Sequence, residues 1–396
     1  MLNTNDSTLS QMAAFLTNTC NSNVSPQAVD QRIKTAGKEF LKICLNKAFS
    51  ISLKRLNINN KILNTCDHLY IIDSTNFDLH PKLSDIFKGS SGGASKSSLR
   101  IQFVYDFLTG NMYIQIGDVK LSDAKTFYRI IKDNSLDVSG KSLFLADLGY
   151  FKTDSFLHIA KNADYFVSKL KSNILIYDEN NNKLDISDLF KKQSRINMTV
   201  KIGCLTCRLV GEKLPDNIVN EKLRKALKEA HKKKRTLSEK SKVFIKYALF
   251  ITNFEETTTF DSLFCLYRIR WQIELIFKTW KSIIGIHKIR SANEKRILCE
   301  IYGKLIIAVL TNVIYWKIKL EYGIVLSYHK VLQHIKAIAV NWTVSILKNK
   351  DAHFKFLNNL KLQILRLCKK NRQSNKPYIE IILGCMDLLK IEKVTP

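Results

Sequence analysis

A run of fifteen residues without glycine or proline, residues 267–281, constrains the fold of this chain more than any other stretch. At about 100° per residue, a helix through this run has an apolar face and an adjacent polar stripe. The apolar face carries Ile269, Ile273, Ile276, Phe277 and Trp280. The polar stripe carries Tyr267, Arg270, Glu274 and Lys281. An ordinary amphipathic helix with a solvated polar face explains this pattern, and so does a helix that presents one acidic site residue between cations.

The four polar residues stand in the order Y-x2-R-x3-E-x6-K. This spacing resembles the YREK signature of insertion-sequence transposases of the DDE type, the IS-four-like family. In that family the glutamate is the third metal-binding carboxylate, and the other three residues contact DNA phosphates near the cleaved end. The resemblance therefore implies that Glu274 is a catalytic metal ligand and that Tyr267, Arg270 and Lys281 bind DNA.

Two aspartates upstream are similar to the remaining acidic blocks of that family. Asp73 ends a predicted strand in residues 68–75 and begins Asp-Ser-Thr, which resembles the D-[GS]-T block. Asp147 follows a predicted strand, residues 143–146, and begins Asp-Leu-Gly-Tyr, which resembles the D-x-G-Y/F block. Either residue alone is also explained as a turn residue at a strand end. Three blocks in the family's order imply that Asp73, Asp147 and Glu274 form one catalytic and metal-binding set.

The predicted elements follow the order β-β-β-α-β-α-β, then an interruption, then the helix with Glu274. This is the order of the RNase H-like fold. We predict an α/β protein whose RNase H-like catalytic core has a mixed five-stranded sheet flanked by helices, with a β-rich insertion and a helical N-terminal domain. The predicted domains are a helical N-terminal DNA-binding domain (1–62), the catalytic core (63–171 and 246–325), the insertion subdomain (172–245) and a helical C-terminal region (326–396).

Residues 1–62 carry the pattern of two helices separated by a short polar break. Ser25 can cap the second helix, and Pro26 suits its first position. A helix-turn-helix of this kind would present Arg32 to DNA. A helical appendage that packs on the next domain is the alternative.

The charge balance predicts a nucleic-acid partner. Lys and Arg number 63 against 35 Asp and Glu, a formal net charge of +28, although a lysine-rich proteome would explain part of the excess. The basic segment 221–235 ends in Lys232, Lys233, Lys234 and Arg235. We predict that these four residues contact DNA phosphates, with a solvated helix face as the alternative.

The three carboxylates suit two Mg²⁺ ions, with Mn²⁺ able to substitute, because hard cations prefer carboxylate oxygens. The resemblance implies cut-and-paste transposition of an insertion sequence, by hydrolysis and strand transfer at terminal inverted repeats. It also implies a homodimer that binds double-stranded DNA, both terminal repeats and target. Two alternatives stay open: a stand-alone RNase H-like nuclease, and a transposase-derived DNA-binding protein without catalytic activity.

Several features predict a cytoplasmic, nucleoid-associated protein that does not contact a membrane. The amino terminus carries no secretory signal pattern, and the longest apolar run, residues 305–316, is too short to span a bilayer. The nine cysteines are scattered, as in a protein with reduced thiols.

Overall fold

A computed structural model of the chain describes residues 8–370 apart from 21, 52, 57–61, 90–94, 134–135, 137–138, 192, 233 and 290. An eight-stranded mixed sheet organises these residues. The strands are β1 (His68–Asp78), β2 (Ser98–Asp106), β3 (Met112–Asp118), β4 (Ser142–Ala146), β5 (Tyr165–Lys169), β6 (Arg195–Ile202), β7 (Leu205–Lys213) and β8 (Tyr247–Thr252). Their order across the sheet is β3-β2-β1-β4-β5-β8-β7-β6.

Helices surround this sheet and continue beyond it at both ends of the chain. They are α1 (Leu9–Cys20), α2 (Pro26–Arg32), α3 (Lys38–Phe49), α4 (Asp123–Lys132), α5 (Thr153–Lys161), α6 (Ile186–Leu189), α7 (Asp216–Lys232), α8 (Glu239–Ile245), α9 (Phe260–Ile269), α10 (Trp271–Thr279), α11 (Glu294–Tyr322), α12 (Tyr328–Ala337), α13 (Ala339–Lys348) and α14 (Lys350–Leu367). Side-chain caps begin several of them, including the predicted cap Ser25 and also Ser122 and Thr259. These caps satisfy backbone N–H groups that the first turn leaves unpaired.

The first five strands confirm the predicted succession of elements, but the sheet is larger than the predicted five strands. β1 pairs with β2 antiparallel and with β4 parallel, and β4 pairs with β5 parallel. β8 then covers the far side of β5, and the hairpin β6-β7 extends the sheet through β7. A strand edge exposes unpaired N–H and C=O groups, which β8 and β7 satisfy here. The β-rich insertion therefore continues the sheet of the core, and the domain limits given above stay a prediction.

The central strands are buried on both faces, so the core has two apolar layers. Along β1, Leu69 and Ile71 face one layer, while Tyr70 and Ile72 face the other. The first layer includes side chains of α3, α9, α10 and α11, and the second includes those of α4 and α5. Strands covered on both faces read as continuous apolar runs, which is the pattern of residues 69–72.

The hairpin between β2 and β3 turns at Gly110, whose φ is +78°. A side chain at this position would collide with the ring of Trp316 on α11. Glycine is therefore required both by the backbone conformation and by the close approach of the long helix. The Nδ2 group of Asn312 also donates to the carbonyl of Gly110 over 2.6 Å, which fixes the turn to α11.

The N-terminal helices pack on the start of α11. Arg296 donates to Asp30, and Lys38 forms an ion pair with Glu294 at 3.2 Å. Helix α3 lies along α11, and Leu45 and Ala48 join the first core layer. This packing is the arrangement that the appendage alternative describes, while Arg32 stays exposed on α2.

Helix α11 is long and apolar enough by length and composition to cross a membrane. Its most apolar window of eighteen residues has a mean hydropathy of 1.8, and 61% of that window is buried inside the protein. A core helix of this burial meets the same criterion, and α11 packs against α3 and α12.

The indole of Trp280 lies at the centre of the first core layer. It is fully buried, and its ring centroid lies 5.0 Å from that of Phe103 on β2. We expect Trp280→Ala to lower the free energy of unfolding by about 3–5 kcal/mol, because it leaves a cavity where helix and sheet meet. Chemical denaturation monitored by circular dichroism measures this loss.

Trp271→Ala is the matched control, because it removes the same side chain from a position that is 36% exposed. We expect it to change stability far less. Equal losses in the two variants would show that Trp280 does not anchor the helix to the sheet.

Candidate active site

Parallel pairing of β1 with β4 brings the two aspartates together. The register pairs Ile71 with Leu145, so Asp73 and Asp147 both lie two residues further along neighbouring strands. The prediction that Asp73 ends its strand is wrong. Strand β1 continues to Asp78, because its antiparallel pairing with β2 extends past the end of β4 and sets Asp73 opposite Phe103. Asp73 therefore stands where β1 loses one neighbour, and Asp147 stands just after β4 ends.

The predicted helix of residues 267–281 is present with two local changes. At Arg270 the helix tightens, because Arg270 N–H bonds the carbonyl of Tyr267 and Ile273 N–H bonds that of Arg270, each three residues back. From Trp280 to Ile284 it widens into a π-helical turn that ends at Gly285 with φ +56°. The tightening divides the run into α9 and α10 at the residue that reaches the two aspartates.

The guanidinium of Arg270 lies among all three predicted carboxylates. Its Nη2 donates to Oε1 of Glu274 over 2.7 Å. Its Nη1 lies 3.8 Å from Oδ2 of Asp73, and its Nε lies 4.0 Å from Oδ1 of Asp147. The structure thus brings Asp73, Asp147, Glu274 and Arg270 into one cluster at the edge where β1 and β4 meet helix α10.

Tyr267 holds one of these carboxylates. Its side chain is buried at 6% exposure, and its hydroxyl donates to Oδ1 of Asp147 over 3.1 Å. Burial raises the pKa of the Tyr267 phenol well above its usual range, and the nearby Asp147 charge adds to this. The hydroxyl therefore stays protonated as a donor, and its partner here is Asp147 rather than the DNA phosphate that the resemblance implies.

The cluster places three acidic side chains around a single guanidinium, so its negative charge is not fully balanced by Arg270. Burial is the main cause that raises the pKa of Asp73 to about 6; the charges of Asp147 and Glu274 add to it, and the Ser74 N–H and Arg270 oppose it. Nε of Arg270 is buried without a hydrogen-bond partner in the described part of the chain. The guanidinium thus neutralises the cluster incompletely, which leaves the site able to attract a further cation.

Lys169 is a second cation at this site, and the sequence patterns did not single it out. It ends β5, next to the strand that leads into Asp147, and its Nζ lies 5.1 Å from the ring centroid of Tyr267. Burial lowers the pKa of Lys169, while the charges of Asp147 and Glu274 act in the opposite direction. Its position at the end of a strand beside β4 is the signal that could have identified it.

The donor set fits a hard divalent cation, because it consists of carboxylate oxygens. Within the described ranges, no group of three or more His, Cys, Asp or Glu side chains already has the arrangement of a metal site. The reason lies in the geometry above: the three carboxylates surround a guanidinium. A metal ion held by Asp73, Asp147 and Glu274 therefore requires that Arg270 give up some of these contacts.

The remaining predicted DNA-binding residues lie outside this cluster. Lys281 lies in the π-helical turn and lines an apolar groove. Helix α7 is exposed along its length, and Lys232, Lys234 and Arg235 are exposed at its end. Lys233 lies outside the described residues. Their contacts with DNA stay predictions.

Comparison with known proteins gives one family. Residues 64–310, which contain all three carboxylates, match the family model described as a transposase DDE domain. The transposase for insertion sequence element IS1151 of Clostridium perfringens is 30% identical over 415 aligned positions, covering 97% of this chain and 86% of that protein. The transposase for IS231F of Bacillus thuringiensis subsp. israelensis is 30% identical, covering 75% and 67%. The transposase for IS231C of Bacillus thuringiensis subsp. berliner is 28% identical, covering 90% and 79%.

We expect Arg270→Ala to destabilise the protein in EDTA, because three carboxylates would then share one site without their shared cation. Removing one partner of a fully buried ion pair costs about 3–5 kcal/mol, and the partial exposure of Asp147 reduces the expected loss to about 1–3 kcal/mol. Excess MgCl₂ should restore part of the loss, because an ion that binds only the folded state stabilises it. Thermal unfolding in EDTA and in MgCl₂ measures both effects.

Arg268→Ala is the control, because it removes the same charge two residues earlier, from a guanidinium that lies 5.6 Å from the ring centroid of Phe264. The two variants should differ in EDTA and differ less in MgCl₂. Identical melting curves for both variants under both conditions would contradict the role of Arg270 as counter-ion.

Proposed function

Because this chain belongs to the insertion-sequence transposases that carry a DDE domain, we propose that it moves its own element by cut-and-paste transposition. It would hydrolyse phosphodiester bonds at the terminal inverted repeats and join the freed 3′ ends to target DNA. The observation that supports this proposal most directly is the convergence of Asp73, Asp147 and Glu274 on one guanidinium. Strand pairing and a helix from distant parts of the chain bring these three residues to one point.

Asp73, Asp147 and Glu274 are the residues that would hold two Mg²⁺ ions, or Mn²⁺ in their place. When bound, such ions compensate the charge on the attacking and leaving oxygens of a phosphodiester. Asp73 is the most enclosed of the three carboxylates, with 24% of its side chain exposed against 43% for Asp147. Asp147, the most exposed of the three, would lie nearest the solvent from which DNA approaches.

The cations around this set have roles of their own. Arg270 balances the carboxylates in this structure, and in a complex with DNA its guanidinium would contact the scissile phosphate. Tyr267 keeps Asp147 in place through its hydroxyl. Lys169 lies beside the ring of Tyr267 and would add positive charge that attracts the phosphate backbone to the site. Phosphate contacts of this kind position the DNA without reading its sequence.

DNA binding would involve surfaces on both sides of the catalytic cluster. The candidate contacts are Lys281, Arg32 on α2, the exposed side chains of Lys232, Lys234 and Arg235 at the end of α7, and Lys233 by its place in the sequence. Two ends must be cut and joined together, so we propose a homodimer on DNA, acting in the cytoplasm at the nucleoid.

The two rival functions differ in outcome: a stand-alone nuclease would cut single ends without strand transfer, and a non-catalytic relative would bind without cutting.

We expect Glu274→Gln to keep DNA-end binding while strand cleavage with Mg²⁺ falls by orders of magnitude. The amide keeps the shape and the helix but removes the charge that a hard cation needs. Glu239→Gln on α8, an exposed glutamate paired with Lys242, is the control and should cut at the wild-type rate. Gel shift and nicking assays on the element's own terminal repeat separate binding from cutting.

Wild-type cleavage by Glu274→Gln would remove Glu274 from the catalytic set. Binding without any cleavage by the wild-type protein, in Mg²⁺ or Mn²⁺, would instead favour the non-catalytic alternative.

The salt dependence of DNA binding tests the basic end of α7. Each phosphate contact adds about −0.9 to the slope of log K against log salt concentration. We expect Lys232→Gln, Lys234→Gln and Arg235→Gln together to make the slope shallower by up to about 2.7. Fluorescence anisotropy with a labelled duplex at several salt concentrations gives the slope.

The control changes the same number of charges elsewhere, at Lys348, Lys350 and Lys355 on the exposed C-terminal helices. If both triple variants change the slope equally, the end of α7 has no specific role, and only the net charge of the protein matters.

A further inference from the structure

An apolar groove runs between α10, the end of α11 and the segment that leads into α12. It has a volume of about 790 Å³. Leu275 and Val325, at 39% and 40% exposure, form part of its walls, and Trp316 and Tyr315 also line it. Exposed apolar walls of this kind are costly in water unless something covers them. The groove lies behind the helix that carries Glu274, outside the carboxylate cluster.

Two buried polar atoms in the lining of the groove lack partners among the described residues. Nε2 of Gln272 and Nδ1 of His287 are buried and make no hydrogen bond within the described ranges. Lys319 lies with its Nζ 4.8 Å from the ring centroid of Trp316, and burial lowers its pKa to about 8. Buried polar atoms normally have partners, so the unpaired atoms of Gln272 and His287 indicate a missing occupant that carries polar groups.

The charged side chains that line the groove are basic. Among the described residues its lining includes four lysines and no aspartate or glutamate. The lysines are Lys278, Lys281, Lys319 and Lys370. An occupant that complements this surface is apolar and carries acidic groups.

The chain itself leads to the rim of this groove. Residues 325–327 and 368–370 run antiparallel, with Ser327 N–H bonded to the carbonyl of Cys368 and Lys370 N–H bonded to that of Val325. Lys370 is part of the lining and is followed by 26 further residues. Residues 371–377 are polar and could span about 25 Å when extended. They are long enough to bring the following segment over the groove.

Residues 378–389 have the composition that the groove requires. The segment reads Tyr-Ile-Glu-Ile-Ile-Leu-Gly-Cys-Met-Asp-Leu-Leu, with two acids and no Lys or Arg in a chain of net charge +28. At about 100° per residue, a helix through it would carry a wide apolar face. Glu380 and Asp387, seven residues apart, would lie on the opposite side, toward the lysines of the rim.

We propose that residues 378–389 dock in the groove of their own chain and complete the core behind α10. The groove favours completion of the core by this segment over dimerisation or DNA binding. Docking would cover the exposed side chains of Leu275 and Val325. It would also support the helix that carries Glu274 from its rear face.

The test is photo-cross-linking in the full-length protein without DNA. p-Benzoylphenylalanine replaces Ile382, and the control carries it at Ser374 in the polar linker. Mass spectrometry of the monomer band should find adducts on peptides containing Leu275, Trp316 or Val325 for the first protein and not for the second. Adducts in a dimer band would assign the groove to the tail of a second copy and overturn docking within one chain. Adducts elsewhere, or none, would overturn it as well.

A second measurement covers the case in which the bulky cross-linker disturbs docking. Hydroxyl-radical footprinting compares the wild type with Leu388→Asp and with Ser374→Asp, which adds the same charge to the linker. Oxidation of Leu275 and Tyr315 should rise several-fold in Leu388→Asp alone, while Tyr113 on β3 serves as the unaffected reference. Unchanged oxidation in Leu388→Asp would contradict the proposal. Neither experiment depends on cleavage activity, so its outcome is separate from that of the proposed transposition.

Discussion

One guanidinium allows three carboxylates to share a partly buried site in this protein. Like charges at such distances repel, and each would otherwise keep a proton or stay apart from the others. Arg270 lies within 4.0 Å of Asp73, Asp147 and Glu274 and thereby holds the cluster together. The same contacts explain why the carboxylates are not arranged as a ready metal site. The guanidinium holds the three acids close together, and a metal ion on the same oxygens would have to share them with it.

Strand pairing and core packing determine where Arg270 meets the three acids. Parallel pairing sets Asp73 and Asp147 side by side, and the two core layers hold the sheet against α9 and α10. The local tightening of the helix at Arg270 aims its side chain at the strand ends. Trp280 then locks the following turn against Phe103. A loss of packing at Trp280 would thus shift α10 and change the position of Glu274 relative to the two aspartates.

The sequence predicted what depends on local pattern and missed what depends on pairing between distant segments. Asp147 was predicted after its strand, and Ser25 was predicted as a cap, because a cap depends on neighbours a few residues away. The length of β1 beyond Asp73, the pairing of β8 with β5 and the bond from Tyr267 to Asp147 depend on which segments meet in space. Lys169 was missed for the same reason, since its only sequence signal is a place at the end of a short strand.

Helix α11 has a consequence for how the parts of this protein move. It has 29 residues and is about 44 Å long at 1.5 Å per residue. Its start holds the N-terminal helices through Arg296 and Asp30, its middle contacts the hairpin turn at Gly110, and its end joins the C-terminal helices. A single rigid rod therefore fixes three regions at set distances from one another. The length of α11 therefore sets the separation between the N-terminal helices and the C-terminal helices.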